Sequence, residues 1–243
     1  MNLTVCTITR RSPSLLGFLV RCFERQTYPA RYLVILDDSG RLAPASGDRW
    51  RLYGFDKPLP TLGSRRNACA RLVPGDTQGL AVWDEEHVYL PWALEATAAA
   101  LQHAEWSRPG VYCLREPGTG RLLKVRSHAE GNNDNASPCS WGIQYDAFWA
   151  VGGFDEHRDR HDYVTLAMKL LARDTPEIDP VAMGYRPWCV ENPYGPDTNS
   201  EGDEGPWGVP IQVGPPPVTL SESSLPVVAP RPWQHDWYEE IRT

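Results

Sequence analysis

The residues best suited to chemistry fall in a few short groups. Trp83-Asp84-Glu85-Glu86-His87 sets Asp84 and Glu86 on either side of one residue, directly after the apolar run Leu80-Ala81-Val82. A hard divalent cation such as Mg²⁺ or Mn²⁺ prefers oxygen ligands and is typically held by one or two carboxylates together with substrate phosphates. An acid-x-acid turn at a strand end supplies that set, and the metal would neutralise a departing diphosphate. With Pro91 ahead, the same acids equally suit the N-terminal end of a following helix. Asp37-Asp38, after Leu33-Val34-Ile35-Leu36, could accept hydrogen bonds from a nucleotide base or ribose, or form a plain turn before Gly40. Arg65, Arg66 and Asn67 follow Gly63-Ser64, where arginines either reach phosphate or make a solvated face. His161-Asp162 comes just after Gly152-Gly153-Phe154-Asp155-Glu156. Asp162 there is a candidate general base for an acceptor hydroxyl, and equally an acid serving a helix start. Trp141, Tyr145 and Trp149 could stack on a sugar or base, although aromatics at this density also build cores.

These groups need a frame, and the sequence outlines one. Leu3–Thr9 is a short β-branched run, ending on Thr9-Arg10. Ser12-Pro13 gives a helix cap followed by proline at the first helical position, with Leu15, Leu16, Leu19, Val20 and Phe23 at helical spacing behind it. Tyr32–Leu36 and Leu80–Trp83 read as buried strands, Gly63–Leu72 as a helix, and Pro91 as the opening of an alanine-rich helix to about His103. Val111–Arg115 and Leu122–Arg126 suggest a hairpin around Pro117-Gly118-Thr119-Gly120, and His161–Ala172 has a helical period. Alternating strands and helices predict an α/β sheet, whose ligands bind outside the carboxyl ends of the strands. Three of those ends carry polar clusters: Thr9-Arg10, Asp37-Asp38 and the acids after Val82.

Composition sets the outer limits. A chain of 243 residues with 41% hydrophobic and 23% charged residues fits one large soluble domain, or one domain with a substantial tail. The composition turns toward Pro, Gly, Ser, Asp and Glu over Pro193–Pro232, so a body over 1–192 and an irregular Pro/Gly-rich extension over 193–243, packed on it, are expected. Trp233–Ile241 could be a short docked helix. The longest apolar runs are strand-sized and Met1–Val5 enters a strand without a leader pattern, which makes the cytoplasm the expected compartment. Six cysteines stand singly with no metal-finger spacing, and read as buried reduced thiols. A net charge of −7 argues against a broad electrostatic grip on DNA.

Taken in order, the groups resemble family 2 inverting glycosyltransferases of the GT-A fold. Val5–Arg10 with Leu15–Tyr28 and the Gln26-Thr27-Tyr28 turn resembles the family's first strand and helix, and Tyr32–Gly40 its nucleotide-binding strand. Gly63-Ser64-Arg65-Arg66-Asn67-Ala68 is similar to the "G-x-x-x-A-R-N" helix start, and Val82–Pro91 to the "L-D-x-D-D-x-x-x-P" block. Val151–Glu156 and His161-Asp162-Tyr163 resemble "i-G-G-F-D-E" and "E-D-x-D", so the resemblance covers roughly residues 3–172. It implies a Rossmann-like, mostly parallel sheet flanked by helices. It further implies a nucleotide-sugar donor, a UDP-sugar first, bound by Thr9, Arg10, Asp37, Asp38, Arg65, Arg66, Asn67 and Asp84. Asp84 and Glu86 would hold Mn²⁺ or Mg²⁺, Asp162 would be the catalytic base of a single displacement, and Trp141 and His161 would face the acceptor.

The sequence also departs from the family's pattern. Glu86 stands for the second metal-motif aspartate, His87 for the next acid, and His161 for the acid before the base. Glutamate is one methylene longer, so a metal site must shift its geometry. His87 reads as an acceptor-side or helix-capping residue in preference to a ligand. These changes keep a second reading open, a non-catalytic nucleotide- or sugar-binding protein with a degenerate site. A nucleotidyltransferase would need a glycine-rich loop where Thr9-Arg10-Arg11-Ser12-Pro13 has none. The acceptor could be a glycan or a modified nucleobase, the latter needing arginines such as Arg10, Arg11, Arg65, Arg66, Arg71, Arg121 and Arg126 on one face.

Overall fold

In the computed structural model, the described residues are 1–9, 13–85, 87–115, 122–126, 140–157 and 162–191. In chain order the elements begin with β1 (Leu3–Thr9), α1 (Pro13–Glu24), β2 (Arg31–Asp37), β3 (Ala45–Gly47), β4 (Trp50–Gly54) and α2 (Leu62–Arg71). Next come β5 (Gly79–Val82), β6 (Val88–Tyr89), α3 (Ala93–Ala100), β7 (Trp106–Ser107), β8 (Val111–Arg115) and β9 (Leu122–Arg126). The last are β10 (Trp141–Gln144), α4 (Tyr145–Ala150), α5 (Asp162–Ala172), β11 (Glu177–Ile178) and β12 (Cys189–Glu191).

Strand β1, built of apolar residues and threonines, is buried on both faces, with parallel partners β2 and β5 on either side. Side chains alternate across the sheet. Leu3, Val5, Leu33 and Ile35 meet α1 and α3 on one face, while Cys6, Val34 and Leu36 meet α2, α4 and α5 on the other. Each fully buried leucine or isoleucine there contributes roughly 1.5–3 kcal/mol. The sheet runs β11-β7-β10-β5-β1-β2-β4-β3, with a parallel heart (β5, β1, β2, β4) and antiparallel contacts of β10 and β3 outside it. A smaller sheet, β6-β12-β8-β9, joins strands far apart in sequence. The expected α/β architecture is therefore present, and β8 and β9 pair antiparallel as anticipated, the expected turn at residues 117–120 lying outside the described residues.

Three details differ from expectation. The alanine-rich helix ends at Ala100, and Leu101–His103 form a turn, so it is shorter than the composition suggested. Between the acidic stretch and α3 lies β6, so those acids do not open that helix and His87 does not cap it. The short strands β3, β4, β6, β7, β11 and β12 gave no sequence expectation; most pair over two or three residues. Cys6, Cys22, Cys69, Cys113 and Cys189 are buried free thiols, with burial raising Cys22 to about 11; Cys139 lies outside the described residues. No helix among the described residues is long and apolar enough to cross a membrane.

Candidate active site

The carboxyl ends of β5, β1 and β2 lie side by side, with Thr9 in register with Asp37. Two hydroxyls of β1 tie down the chain that leaves β5. Thr7 Oγ1 donates to the Trp83 carbonyl at 2.9 Å, and Thr9 Oγ1 donates to the buried carboxylate of Glu85. Glu85 was not anticipated as a partner of Thr9; its signal was only its acidic type between the two candidate ligands. The next turn is closed by His87 N–H on the Asp84 carbonyl at 3.3 Å, and the His87 side chain is buried. The Asp84 backbone N–H donates to Tyr89 Oη at 2.8 Å, and the Tyr89 ring lies flat on Trp83 with centroids 3.9 Å apart. Thus the peptide that carries Asp84 is fixed from both strands.

At the end of β2 the two aspartates divide their work. Asp37 is fully buried; Oδ1 accepts from Ser39 N at 2.9 Å and Ser39 Oγ at 2.6 Å, and Oδ2 from Leu42 N at 2.8 Å. Its carboxylate therefore builds the loop after β2. Asp38, also buried, accepts from Leu59 N at 2.9 Å and faces Arg65 Nε at 3.7 Å. Arg65 Nε in turn donates to the Thr61 carbonyl at 3.1 Å.

Helix α2 carries the residues that join these ends to α5. Its start is fixed by a reciprocal cap: Thr61 Oγ1 accepts from Ser64 N at 3.1 Å, and Ser64 Oγ accepts from Thr61 N at 3.0 Å. One turn on, Arg66 Nη1 donates to both oxygens of Asp162 at 2.8 and 3.0 Å, and Nη2 to Asp84 Oδ1 at 3.3 Å. The guanidinium also sits 5.4 Å from the Phe154 ring centroid. A cavity of about 10 Å³, lined by Cys6, Cys69, Trp83 and Phe154 among others, lies behind it. A larger concavity of about 320 Å³, lined by residues such as Asn2, Arg31 and Thr77, opens at the amino ends of β1 and β2, away from these acids.

Asp162 is fully buried at the start of α5, where Oδ1 also accepts from the Tyr163 N–H at 3.0 Å. It therefore serves the helix end and faces Arg66 at once. Burial raises its carboxyl above the ordinary aspartate value, Arg66 opposes that rise, and the negative charge of Asp84 adds to it.

Asn67 works as a brace. Its Nδ2 donates to the Phe154 carbonyl and Glu156 Oε1, each at 3.0 Å, and its Oδ1 accepts from Phe154 N at 2.9 Å. That locks the Gly152–Glu156 turn onto α2. Arg71 pairs with Glu156 at 3.1 Å, and the Asn67 hydrogen bond, with Arg71 second, holds that carboxyl below its usual range. Arg65, Arg66 and Arg71 are thus each paired with an acid. Trp141 is buried edge-on against Trp106 and Tyr163, the placement of a packing residue. Arg10, Glu86 and His161, with the arginines at 11 and 121, lie outside the described residues. Among the described residues no group of three or more His, Cys, Asp or Glu could hold a metal ion. Asp84, its side chain 25% exposed at the strand end, is the described member of the expected pair and would offer a single carboxylate to a cation shared with substrate phosphates.

Solved structures share this architecture. S. aureus TarS 1–349 aligns with 78% of this chain and 60% of its own length at 14% identity, TM-score 0.56. The same protein with UDP aligns at 13% identity over 79% of this chain and 60% of that one, TM-score 0.57. The mannosyltransferase PcManGT from Pyrobaculum calidifontis, in complex with GDP-Man and Mn²⁺, aligns at 16% identity over 82% of this chain and 58% of that one, TM-score 0.50. This chain therefore spans about three fifths of the TarS 1–349 length. No family model matches it, and no curated protein sequence does. The fold is that of the GT-A glycosyltransferases.

Proposed function

We propose that this chain is a metal-assisted, inverting glycosyltransferase that moves a sugar from a nucleotide-sugar donor to an acceptor hydroxyl. The observation that carries the reading is the Asp84–Arg66–Asp162 linkage, which brings a strand-end acid and a buried helix-start acid to one guanidinium at the carboxyl edge of a GT-A sheet. Solved neighbours of this fold hold UDP, UDP-GlcNAc, or GDP-Man with Mn²⁺, which supports a nucleotide-sugar donor here, a UDP-sugar first.

In this reading Asp162 takes the proton from the acceptor hydroxyl as that oxygen attacks the anomeric carbon from the face opposite the leaving diphosphate. Burial raises its proton affinity above that of an ordinary aspartate, the direction that strengthens a base. Asp84, with Glu86 from the same turn, would hold Mn²⁺ or Mg²⁺, which when bound supplies charge neutralisation for the nucleoside diphosphate. Thr9, Asp38 and Arg65 border the nucleotide side, while Asp37 and Asn67 keep the loop and the helix in place. His161 is the proposed acceptor-side residue.

A thermal-shift panel of UDP, GDP, UDP-sugars and GDP-sugars, with and without Mn²⁺, tests the donor. A ligand at about 100 times its Kd adds roughly 2.7 kcal/mol of apparent stability, a readily measured shift. Stabilisation that depends on metal supports the reading, and no shift with any of them overturns it. Donor hydrolysis by the wild type should fall about 10²–10⁴-fold in Asp162→Asn. Nucleotide binding that a chelator leaves unchanged, with no turnover, would instead identify a non-catalytic binding module.

A further inference from the structure

Arg66 binds the proposed base and the donor-side acid with one side chain, and this divides a single positive charge between two carboxylates. Its Nη1 sits between both oxygens of Asp162 at 2.8 and 3.0 Å, while Nη2 reaches Asp84 only at 3.3 Å. Arg66 and Asp162 are both buried, so the pair is a strong one in low dielectric. In this arrangement the oxygens that must accept the acceptor's proton already accept from Arg66. The strand-end position beside Asp84 is also where a diphosphate would arrive. A planar guanidinium is a bidentate partner for phosphate oxygens. A nucleoside diphosphate and Asp162 would then compete for the same donors.

We propose that Arg66 is an exchangeable clamp: it holds Asp162 while the donor site is empty and passes to the donor's diphosphate on binding, releasing the base for the acceptor. The consequence is an order of events, with donor bound before the base becomes competent. Attack on the donor by a hydroxyl is then confined to the complex that has the diphosphate in place. This inference rests on the nucleotide-sugar reading above.

The clamp makes an unusual demand on binding. Removing the charge of the base should tighten the diphosphate, because Asp162 no longer competes for Arg66. Titration calorimetry with UDP and with GDP, in the presence of Mn²⁺, reads this on wild type, Asp162→Asn, Arg66→Gln and the double variant. Asp162→Asn should bind the nucleotide about tenfold tighter than wild type, equivalent to about 1.4 kcal/mol. In the Arg66→Gln background the same change should give no gain. Arg66→Lys, which keeps the charge without the fork, serves as a second background and should show a smaller gain. Unchanged or weaker binding in Asp162→Asn overturns the clamp. So does a gain that persists in full without Arg66, since that reflects a less negative site in general. If neither nucleotide binds the wild type, the functional reading falls and the clamp falls with it; if wild type binds without an Arg66-dependent gain, the clamp alone falls.

Discussion

Asp162 shows how far one residue's chemistry could be read in advance. Its type and its place after a glycine turn marked it as a candidate base or a helix acid, and in the structure it serves the helix start while its carboxylate faces Arg66. What no spacing could show is that Arg66, 96 positions earlier, would sit on its carboxylate. Glu85 escaped notice for the same reason: its partner Thr9 comes from a strand 76 residues away, and only the sheet brings them together. The pH dependence follows from the forces on Asp162. Burial is the largest influence and favours the protonated form, so its pKa in the folded protein lies above the ordinary 3.8. A base must be deprotonated to act, so kcat/KM for donor hydrolysis should rise with pH through a value above that of a free aspartate. Arg66 favours the charged form, so Arg66→Gln should move this acid limb to higher pH. A limb that stays put in the variant would mean that another group sets it.

At the scale of elements, long periodic segments were legible and short or late-paired ones were not. Strand β1 matches its expected bounds, and α2 begins one residue before its expected start, because Thr61 is the N-cap and its reciprocal bonds with Ser64 start the helix at Leu62. Two-residue strands such as β6 carry no period at all, yet β6 supplies Tyr89, which holds the Asp84 peptide. The close seat of α2 against the Gly152–Glu156 turn makes a firm prediction. A Cβ at Gly63 would lie 2.0 Å from the Asp155 carbonyl oxygen, a backbone atom that cannot turn away. Gly63→Ala should therefore push α2 off the turn and destabilise the fold by about 1–3 kcal/mol. For a chain of this size that is a fall in Tm of roughly 2–4 °C per kcal/mol. Because Arg66 lies on the same helix one turn later, nucleotide affinity should drop with it. A variant that melts with wild type would show that the two elements are not packed so tightly.

On the scale of the whole molecule, the site depends on a strand that arrives last in the described chain. Strand β12 lies between β6 and β8 in the smaller sheet, parallel to one and antiparallel to the other, so it completes a sheet whose other members were made some 65 to 100 residues earlier. Just before it, Trp188 is 1% exposed within the core that contains Tyr89 and Leu90, and its carbonyl accepts from Leu90 N at 2.8 Å. Arg186 adds a carbonyl for Trp92 Nε1 at 3.1 Å. The turn bearing Asp84 is thereby braced through Tyr89 and β6 onto residues about 100 positions later. A chain ending at residue 192 keeps this brace, and one ending at Pro187 loses Trp188 and all of β12. Removing a buried tryptophan alone typically costs about 3–5 kcal/mol, and here a β-ladder goes with it. The shorter chain should melt well below the longer one, lose near-ultraviolet circular dichroism from the Trp83–Tyr89 stack, and bind UDP or GDP with Mn²⁺ more weakly. Identical melting curves and affinities for the two truncations would show that β12 does not support the site.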